Sequence, residues 1–337
     1  MTVIQEMLSS LSIADKVGAW GTLGTVRAQK NFDPDAEVEK LRESLPNKGS
    51  QQTIIDVVTN LNNEQRQDVV RLYKEQTQQD LIENIKKALS GDLENVIVGL
   101  LKTPIAYDVQ ELKSAMKGLG TDESTLTEII CTRSNEQLKD IQNLYREQFK
   151  AELETNIISD TSEPYSGLLL GITKCKREKD SGIIDYLRIE QDSQILSELG
   201  PKKTPIVSKW ITIMAERSPR HLRRVFDKYK EINFVDIEED IKKHFKGDFE
   251  KALLAIVSIT KNTPLYFADR LHSAMKGTGT NDKTLARILI SRSEIDLLSI
   301  RVEFRKKYGK SLYSTIKSEV KGDFQSCLLA LCRAEDI

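Results

Sequence analysis

The sequence is poor in several features that would point directly to a class of protein. Its 337 residues include eight prolines, four cysteines, three histidines and two tryptophans. The densest apolar stretch, residues 96–101, is far shorter than the roughly 18 apolar residues of a membrane-spanning helix. Lysine plus arginine total 50, against 51 for aspartate plus glutamate. Because a general nucleic-acid-binding protein is markedly basic, no specific nucleic acid is expected among the partners.

The start of the chain lacks the basic segment and the following apolar segment of a secretory signal. We therefore expect a cytoplasmic protein whose cysteines are free thiols, since disulfides are rare in a reducing compartment. Cys327 and Cys332 have no histidine near them in the sequence, so a zinc site is not expected. The sequence also shows no set of nucleophile, base and acid, and we predict that the protein is not an enzyme.

The chain does contain an internal repeat. Residues 112–134, LKSAMKGLGTDESTLTEIICTRS, closely match residues 271–293, LHSAMKGTGTNDKTLARILISRS. Shorter echoes occur at residues 59–65, 215–218, 90–94, 246–250 and 321–325. These matches predict four units of about 70 residues, as in a repeat protein, although length alone would predict two domains.

Each unit is predicted to be helical. Leu126, Ile129 and Ile130 recur at helical spacing, and a longer apolar stripe runs through residues 136–158. We predict an all-α fold of four repeats with about five short helices each, packed together because one repeat cannot bury its apolar faces alone. The predicted boundaries are an N-terminal tail at 1–32 and repeats at 33–103, 104–180, 181–261 and 262–337.

A glycine-containing loop in the second unit carries the main candidate site. Gly118 and Gly120 permit backbone conformations closed to other residues, so several carbonyl oxygens can point toward one position. Ca²⁺ takes about six to eight oxygen ligands, and a carboxylate is needed to neutralise it. Asp160 follows Gly118 at the same separation at which Glu319 follows Gly277. This repeated pairing of loop and carboxylate predicts two calcium sites.

Other interpretations of these residues remain open. The loop can be a simple turn between helices, or a phosphate-binding loop, although it lacks the third glycine and the GK[ST] segment of the phosphate motifs. An arginine also recurs in three units, as Arg133, Arg217 and Arg292, with Asn60 in the first unit. These arginines either pair with acids inside each unit or line a pore or ligand site.

The motifs KGLGTDE (117–123) and KGTGTND (276–282), the TRS and SRS that follow them, and the four units closely resemble the annexins. The resemblance covers nearly the whole chain. Within that family, LLKTP (100–104) and LYFADRL (265–271) resemble annexin II, the calpactin heavy chain, and LCRAED (331–336) resembles the pemphaxin group.

The resemblance implies a curved all-α disc whose calcium loops dock onto anionic phospholipid membranes. It also implies that loop carbonyls and one bidentate carboxylate hold each ion. The implied Ca²⁺ ligands are the carbonyls of Met116, Gly118 and Gly120 with Asp160 in repeat 2, and the carbonyls of Met275, Gly277 and Gly279 with Glu319 in repeat 4. The protein would then be peripheral on the inner membrane surface when calcium rises.

Two repeats depart from the pattern. In repeat 1, Asn47 replaces the first glycine and Ala88 stands at the carboxylate position. In repeat 3, the loop has no GxGT motif and His244 stands at the carboxylate position. We therefore expect no main site in either repeat. Glu94 and Glu250 are candidates for minor calcium sites of the family, and solvated loop acids are an equal alternative.

The N-terminal tail carries a separate candidate. Ile4, Met7, Leu8 and Leu11 form a narrow apolar stripe at helical spacing. Such a helix suits a hydrophobic groove on a partner, and it resembles the annexin II tail, which binds a small dimeric protein of the EF-hand fold. Two tails on one dimer could bridge two membranes. Alternatively, the helix packs on its own core or stays unordered until bound.

These observations favour calcium-dependent binding to anionic phospholipid membranes, without catalysis. A site with one carboxylate should bind Ca²⁺ weakly by itself. A lipid phosphate that completes the coordination shell makes calcium and membrane bind cooperatively. The alternative is a helical protein-binding scaffold whose calcium response is largely lost, since two of the four repeats lack the pattern.

Overall fold

The computed structural model describes residues 24–45, 51–118, 120–198, 204–277 and 279–333. These residues form twenty α-helices and no strand, which confirms the predicted all-α fold. The helices fall into four sets of five, one for each predicted repeat. Outside the described residues lies the predicted N-terminal helix with Ile4, Met7, Leu8 and Leu11.

The helices of the first two repeats have the following bounds. Repeat 1 contains α1 (Pro34–Ser44), α2 (Gln51–Asn60), α3 (Asn63–Thr77), α4 (Leu81–Ala88) and α5 (Gly91–Leu100). Repeat 2 contains α6 (Pro104–Ala115), α7 (Glu123–Thr132), α8 (Asn135–Phe149), α9 (Leu153–Asp160) and α10 (Tyr165–Thr173).

The last two repeats have the same order of helices. Repeat 3 contains α11 (Tyr186–Ser197), α12 (Thr204–Glu216), α13 (Pro219–Asn233), α14 (Ile237–His244) and α15 (Gly247–Lys261). Repeat 4 contains α16 (Thr263–Ala274), α17 (Asp282–Arg292), α18 (Leu297–Tyr308), α19 (Leu312–Glu319) and α20 (Gly322–Cys332). Across the described ranges, every helix is too short or too polar to cross a membrane.

The chain divides into two compact units of two repeats each. The first comprises residues 1–104 and 264–337, and therefore holds repeats 1 and 4. The second comprises residues 105–263 and holds repeats 2 and 3. Pairing is expected, since a repeat of this size leaves apolar faces to bury against a neighbour. The assembly of all four repeats into one curved disc remains a prediction.

In the first unit, α2 packs against α20, and α17 packs against both α5 and α20. The described start of the chain is fixed to repeat 4. The Val26 amide donates to the Ser293 carbonyl at 3.0 Å, and the Thr25 hydroxyl donates to the Leu331 carbonyl at 2.6 Å. A Cβ at Gly24 would meet the backbone of the adjoining segment at 2.5 Å, so this close approach requires glycine.

A buried cation helps to join repeats 1 and 4. Arg66 is the fourth residue of α3, the position that Leu138 and Leu222 occupy in α8 and α13. Its guanidinium donates to the Val58 carbonyl at 2.7 Å and to Glu294 of repeat 4 at 3.1 Å. Burial lowers the pKa of Arg66 to about 10, and the Glu294 carboxylate opposes this effect. The pair therefore links the two repeats across their shared core.

The second unit has one hydrophobic core shared by repeats 2 and 3. There α10 packs against α7, α12 and α15, and α11 packs against α13. Trp210 of α12 is fully buried. Its ring meets Phe245 edge-on with centroids 5.1 Å apart, and Phe245 meets Phe249 at 5.2 Å. Because α10 of repeat 2 packs against α12 and α15 of repeat 3, neither repeat completes its core alone.

The four cysteines are free, as predicted. Cys131, Cys327 and Cys332 are buried, and Cys175 is partly exposed. Burial raises the pKa of Cys131 and of Cys327 to about 12 each. These two thiols therefore stay protonated at neutral pH and act as small packing groups.

The third helix of each repeat ends in the same backbone conformation. The residue that follows the helix is left-handed in all four repeats: Gln78, Lys150, Phe234 and Gly309. The fourth helix then begins at Leu81, Leu153, Ile237 and Leu312. Because the turn has the same length in all four repeats, the fourth helices also keep the same register, and their last residues are equivalent.

The recurrent arginines pair with acids inside their own repeats, which confirms the pairing interpretation. Arg133 donates two hydrogen bonds to Asp108, at 2.6 and 2.7 Å, and both side chains are buried. Arg217 binds Asp192 in the same way, at 2.7 and 3.1 Å. Such bidentate pairs are stronger than single hydrogen bonds and fix the two helices in one orientation.

Repeat 4 uses a different acid. Phe267 stands where α6 carries Asp108, and the Arg292 guanidinium lies 4.6 Å from the centre of its ring. Arg292 instead pairs with Asp296, at 2.6 and 2.8 Å. In repeat 1 the helix register places Leu61 at the position of Arg133, so the predicted equivalence of Asn60 is wrong by one residue; Asn60 accepts a hydrogen bond from Arg333 at 2.8 Å.

We expect Asp108→Ala to destabilise the protein strongly. Arg133 would keep its charge in a buried position without its carboxylate partner. Removing one partner of a buried ion pair costs about 3–5 kcal/mol. Urea unfolding followed by circular dichroism measures this change in the free energy of unfolding.

Glu152→Ala is the matched control, because it removes one carboxylate from an exposed pair in which Arg146 contacts Glu152 at 2.5 Å. Exposed pairs contribute little to stability, so the urea midpoint should stay close to that of the wild type. Equal destabilisation by both variants would contradict the importance assigned to the buried pair.

Candidate metal-binding loops

The two candidate loops follow the first helix of repeats 2 and 4. Gly118 and Gly120 have φ angles of +100° and +94°, and Gly277 and Gly279 have φ angles of +119° and +110°. Residues other than glycine rarely adopt these backbone angles. A Cβ added at any of the four would meet nothing within 4 Å. Glycine is therefore required by the backbone conformation and not by lack of space.

Both loops are closed by the same hydrogen bonds. The Asp122 amide donates to the Ala115 carbonyl at 2.8 Å, and the Asn281 amide donates to the Ala274 carbonyl at 2.7 Å. Asp122 and Asn281 then cap the following helices, α7 and α17, through their side chains. Each loop therefore connects the ends of two helices, and its glycines are exposed.

Met116 and Met275 begin the two loops. Both side chains are buried, with exposed fractions of 7% and 5%. They anchor the start of each loop in its core. Because the methionine side chains are buried, any contribution of Met116 or Met275 to an ion would have to come from the backbone carbonyl.

The predicted carboxylates occupy one equivalent position. The fourth helices end at Ala88, Asp160, His244 and Glu319. Asp160 and Glu319, which follow their glycine loops at the same separation in the sequence, therefore also occupy the same position in the structure. Asp160 and Glu319 are exposed, as ligands for an ion from solution must be.

In repeat 2 the structure brings the loop and the carboxylate residue into direct contact. The Thr121 hydroxyl donates to the Asp160 carbonyl at 2.9 Å. The Ser159 hydroxyl donates to the Asp160 carboxylate at 3.1 Å, which orients it. Gly118, Gly120 and Asp160 therefore belong to one local site, composed of a glycine loop and the end of α9.

In repeat 4 the elements are the same and the local hydrogen bonds differ. The Thr280 hydroxyl bonds to Asp282 of its own loop. The Ser318 hydroxyl donates to the Glu319 carboxylate at 3.3 Å. The structure gives the conformation at Gly277 and Gly279 and the position of Glu319, and their pairing follows from the equivalence with repeat 2.

Repeats 1 and 3 present other groups at the carboxylate position. Ala88 has no ligand atom in its side chain. The His244 ring contacts the Asp240 carbonyl at 3.0 Å. The corresponding loops, residues 46–50 and 199–203, lie outside the described residues.

The two minor candidates lie in the first turn of a fifth helix. Glu94 is in α5 and Glu250 is in α15, after Gly91 and Gly247 with φ angles of +64° and +69°. Within the described ranges, no three His, Cys, Asp or Glu side chains cluster closely enough to hold a metal ion. Any ion bound by these residues would therefore take its other ligands from backbone oxygens, amide side chains or water, which suits the hard cation Ca²⁺.

Support behind the repeat 2 loop could not be read from the sequence. The Tyr165 hydroxyl donates to the Glu123 carbonyl at 2.8 Å and lies 2.9 Å from the Thr127 hydroxyl. Burial raises the pKa of Tyr165 well above its ordinary value. A neutral tyrosine therefore holds the first turn of α7, next to the loop. In the sequence, such contacts are indicated only by the threonine that ends each GxGT motif, which is Thr121 in repeat 2.

Comparison with known proteins identifies the family. The Annexin family model matches residues 35–100, 107–172, 191–256 and 266–331. The chain therefore belongs to the annexin family, whose members are generally calcium-dependent phospholipid-binding proteins. The predicted resemblance, the four repeats and the all-α fold are confirmed.

Individual relatives match over almost the full length. Annexin A9 of Mus musculus is 45% identical over 337 residues, which cover 100% of this chain and 97% of that protein. The solved structure of annexin III matches with a TM-score of 0.91 and 40% identity, covering 95% of this chain and 100% of that chain. The calcium-bound annexin (Sm)1 matches with a TM-score of 0.83 and 27% identity, covering 94% and 95% respectively.

Alanine at Gly118 and Gly277 is expected to weaken calcium binding while leaving the fold intact. The added Cβ meets open space, so the cost comes only from the positive φ angle. Such a strained residue costs about 1–3 kcal/mol. If the free loop relaxes and the bound loop cannot, the calcium affinity falls by about fivefold to about 140-fold. Calcium titration in the presence of phosphatidylserine vesicles measures the change.

Gly182→Ala serves as the control. Gly182 has a φ angle of +74° and open space around its Cβ, and it lies in the connector between α10 and α11, away from both loops. Its replacement should leave the calcium titration unchanged. A wild-type titration curve for the Gly118→Ala and Gly277→Ala double variant would contradict the role assigned to the glycine loops.

Proposed function

We propose that the protein binds anionic phospholipid membranes in a calcium-dependent manner, through the loops of repeats 2 and 4. One observation carries the proposal: the hydrogen bond from the Thr121 hydroxyl to the Asp160 backbone carbonyl joins an exposed glycine loop to the residue that carries an exposed carboxylate. In repeat 2 the ion would be held by the carbonyls of Met116, Gly118 and Gly120 and by the Asp160 carboxylate. In repeat 4 it would be held by those of Met275, Gly277 and Gly279 and by Glu319.

The low charge of each site explains why membrane and ion should bind together. One carboxylate offsets half of the charge of Ca²⁺, and carbonyl oxygens add no charge. Affinity for calcium follows the number of charged ligands and the rigidity of the site, so each site alone is weak. A lipid phosphate that enters the coordination shell supplies the missing negative charge. Calcium then raises the affinity for the membrane by the same factor by which the membrane raises the affinity for calcium.

This mechanism also explains how a protein with almost no net charge would bind an anionic surface. The formal net charge of the protein is −1, so an anionic surface does not attract it as a whole. A bound Ca²⁺ is the largest local charge at each loop and reverses the sign of the field there. Attraction to the membrane is thus conditional on calcium. The binding requires no catalytic step, and we propose that the protein acts without catalysis.

The double variant Asp160→Ala and Glu319→Ala is expected to lose calcium-dependent sedimentation with phosphatidylserine vesicles. Both carboxylates are exposed at helix ends, so their removal should not disturb the core. Each single variant should retain binding through the other repeat at a higher calcium concentration. Co-sedimentation over a calcium titration, with chelator as the zero point, measures the effect.

The matched control removes two acids that are equally exposed but lie on α8, by Asp140→Ala and Glu147→Ala. This variant should sediment like the wild type. Normal sedimentation of the Asp160→Ala and Glu319→Ala variant would overturn the site assignment.

A protein-binding scaffold with a largely lost calcium response is the second candidate. The observation in its favour is that the fourth helices of repeats 1 and 3 end at Ala88 and His244. Wild type that fails to sediment with vesicles at any calcium concentration would favour this candidate over the first. The contribution of Glu94 and Glu250 as minor sites stays a proposal under either candidate.

The N-terminal tail would supply a protein partner. We propose that Ile4, Met7, Leu8 and Leu11 occupy a hydrophobic groove on a small dimeric EF-hand protein, which could bridge two membranes. The support is the apolar stripe in the sequence alone. The placement in the annexin II and pemphaxin group has the same standing, since the relatives reported above lend it no support. A cytoplasmic protein, peripheral on the inner membrane surface, is the location that fits this function.

Deletion of residues 1–15 should abolish capture of such an EF-hand partner and leave vesicle binding unchanged. The tail precedes the first described contact of the chain with its core, at Thr25. Pull-down with a dimeric EF-hand protein, together with vesicle sedimentation, reads both properties. As a control, Ser9→Ala and Ser10→Ala change neighbouring residues outside the stripe and should preserve the pull-down. Retention of the partner by the deletion would exclude the tail as its site.

A further inference from the structure

The corner between the fourth and fifth helices of repeat 3 is basic. Three basic residues end α14 and a fourth precedes α15: Lys242, Lys243, His244 and Lys246. All four are exposed, and we call them the repeat 3 basic corner. The equivalent corner of repeat 2 ends in Asp160, the proposed calcium ligand. The same place in the fold thus carries opposite charges in two neighbouring repeats of one unit.

Glu239, one turn before Lys242 and Lys243 on α14, is the exposed acid nearest to them in the sequence, and this one carboxylate offsets at most one of the three lysine charges of the repeat 3 basic corner. Within the residues that the structure describes, Lys242 and Lys243 take part in no ion pair. The other nearby acids have partners of their own: Glu238 contacts Lys261 at 2.5 Å, Asp248 contacts Lys251 at 3.0 Å, and Asp240 accepts a hydrogen bond from Tyr229 at 2.7 Å. In repeat 1, by contrast, Lys86 of the equivalent corner contacts Glu83 at 2.7 Å.

Local helix electrostatics account for only part of this pattern. Cations stabilise the last turn of a helix, which explains a basic residue at the end of α14. Lys246 is different, because it is the N-cap of α15, where a positive charge is unfavourable. Its ammonium donates to the Lys242 carbonyl at 2.7 Å, which keeps it at the corner.

The corner is also held firmly. Phe245 lies between His244 and Lys246, and its ring packs edge-on against the buried Trp210 and against Phe249. The lysines therefore extend from a backbone that is fixed to the core of the second unit. A fixed cluster of cations loses less entropy on binding a surface than a flexible one.

The repeat 3 basic corner and the repeat 2 glycine loop lie at the starts of α15 and α7, two helices that pack against each other. Asp248 and, more weakly, Glu123 raise the pKa of Lys251. Glu123 is the first residue of α7, directly after the repeat 2 loop, and Asp248 and Lys251 lie in the first turns of α15. A membrane that reaches the repeat 2 loop would therefore be near the basic corner as well.

We propose that Lys242, Lys243, His244 and Lys246 form a calcium-independent contact site for the phosphate groups of anionic phospholipids. The site takes a lipid surface and not a single soluble phosphate, because three exposed lysines and a histidine spread over one corner match a plane of charges better than a single ion. It rests on the proposed function in taking the same membrane as ligand. It differs in its charge, since lysine ammonium groups meet the phosphates directly, without a bridging ion.

The test uses the full chain and vesicles of phosphatidylserine and phosphatidylcholine, with chelator in place of calcium and at low ionic strength. Each lysine near an anionic surface contributes about a fivefold change in affinity. The Lys242→Gln and Lys243→Gln double variant should therefore bind about 25-fold more weakly than wild type. Glutamine keeps the helix propensity of lysine, so folding should be unaffected. Raising the salt concentration or using pure phosphatidylcholine should abolish the binding of wild type.

Two further variants separate the possible outcomes. Lys139→Gln and Lys150→Gln remove the same charge from the exposed surface of repeat 2, and their binding in chelator should equal that of wild type. The Asp160→Ala and Glu319→Ala variant should lose calcium-dependent binding but keep binding in chelator, so failure of the proposed function and failure of this proposal give different results. Equal binding in chelator by wild type and the Lys242→Gln and Lys243→Gln variant would overturn the proposal. So would displacement from vesicles by inorganic phosphate at matched ionic strength.

Discussion

The shared burial of apolar surface between paired repeats is the constraint on which the rest of the structure depends. A five-helix repeat is too small to enclose its own core, and in the second unit buried residues of both repeats, among them Leu169 of repeat 2 and Trp210 of repeat 3, belong to one hydrophobic core. In the first unit the buried Arg66 reaches Glu294 of repeat 4 for the same reason. Once the cores are fixed, the helix ends at their margins are fixed as well.

This constraint lets one position of the fold carry different chemistry in each repeat. The fourth helix keeps its register because the third helix always stops at a left-handed residue, and so its last residue falls at the same place: Ala88, Asp160, His244 and Glu319. A single side chain there decides whether the corner offers a carboxylate, an imidazole or no ligand. None of these residues is needed for packing, since Asp160, His244 and Glu319 are exposed. The site can therefore change from repeat to repeat without cost to the core.

The sequence was sufficient for the features that depend on periodicity and failed for those that depend on single exchanges. Repetition of the glycine loops predicted the all-α repeats and the equivalence of Asp160 and Glu319. It did not predict that Arg292 pairs with Asp296, because Phe267 has replaced the acid that α6 supplies and the new partner comes from elsewhere. The sequence also did not predict that Arg66 is buried. Arg66 occupies a helix position that holds leucine in repeats 2 and 3, but charged side chains are usually exposed. At these positions tertiary contacts determine which partner a side chain has, so the contacts of one repeat do not predict those of another.

The distribution of charge in the second unit shows why net charge is a poor guide to the partners of this protein. Lysine plus arginine and aspartate plus glutamate almost balance over the chain, yet exposed charges of opposite sign occupy equivalent corners. At about physiological ionic strength, fields decay over roughly 8 Å, so a membrane experiences each corner separately. Under the proposed function, a carboxylate corner would attract the membrane only after it has bound a cation, whereas a basic corner would attract it directly. Two corners of one unit would therefore combine a conditional attraction with a permanent one, and the permanent one would keep the repeat 2 loop near the phosphates that complete the proposed coordination shell.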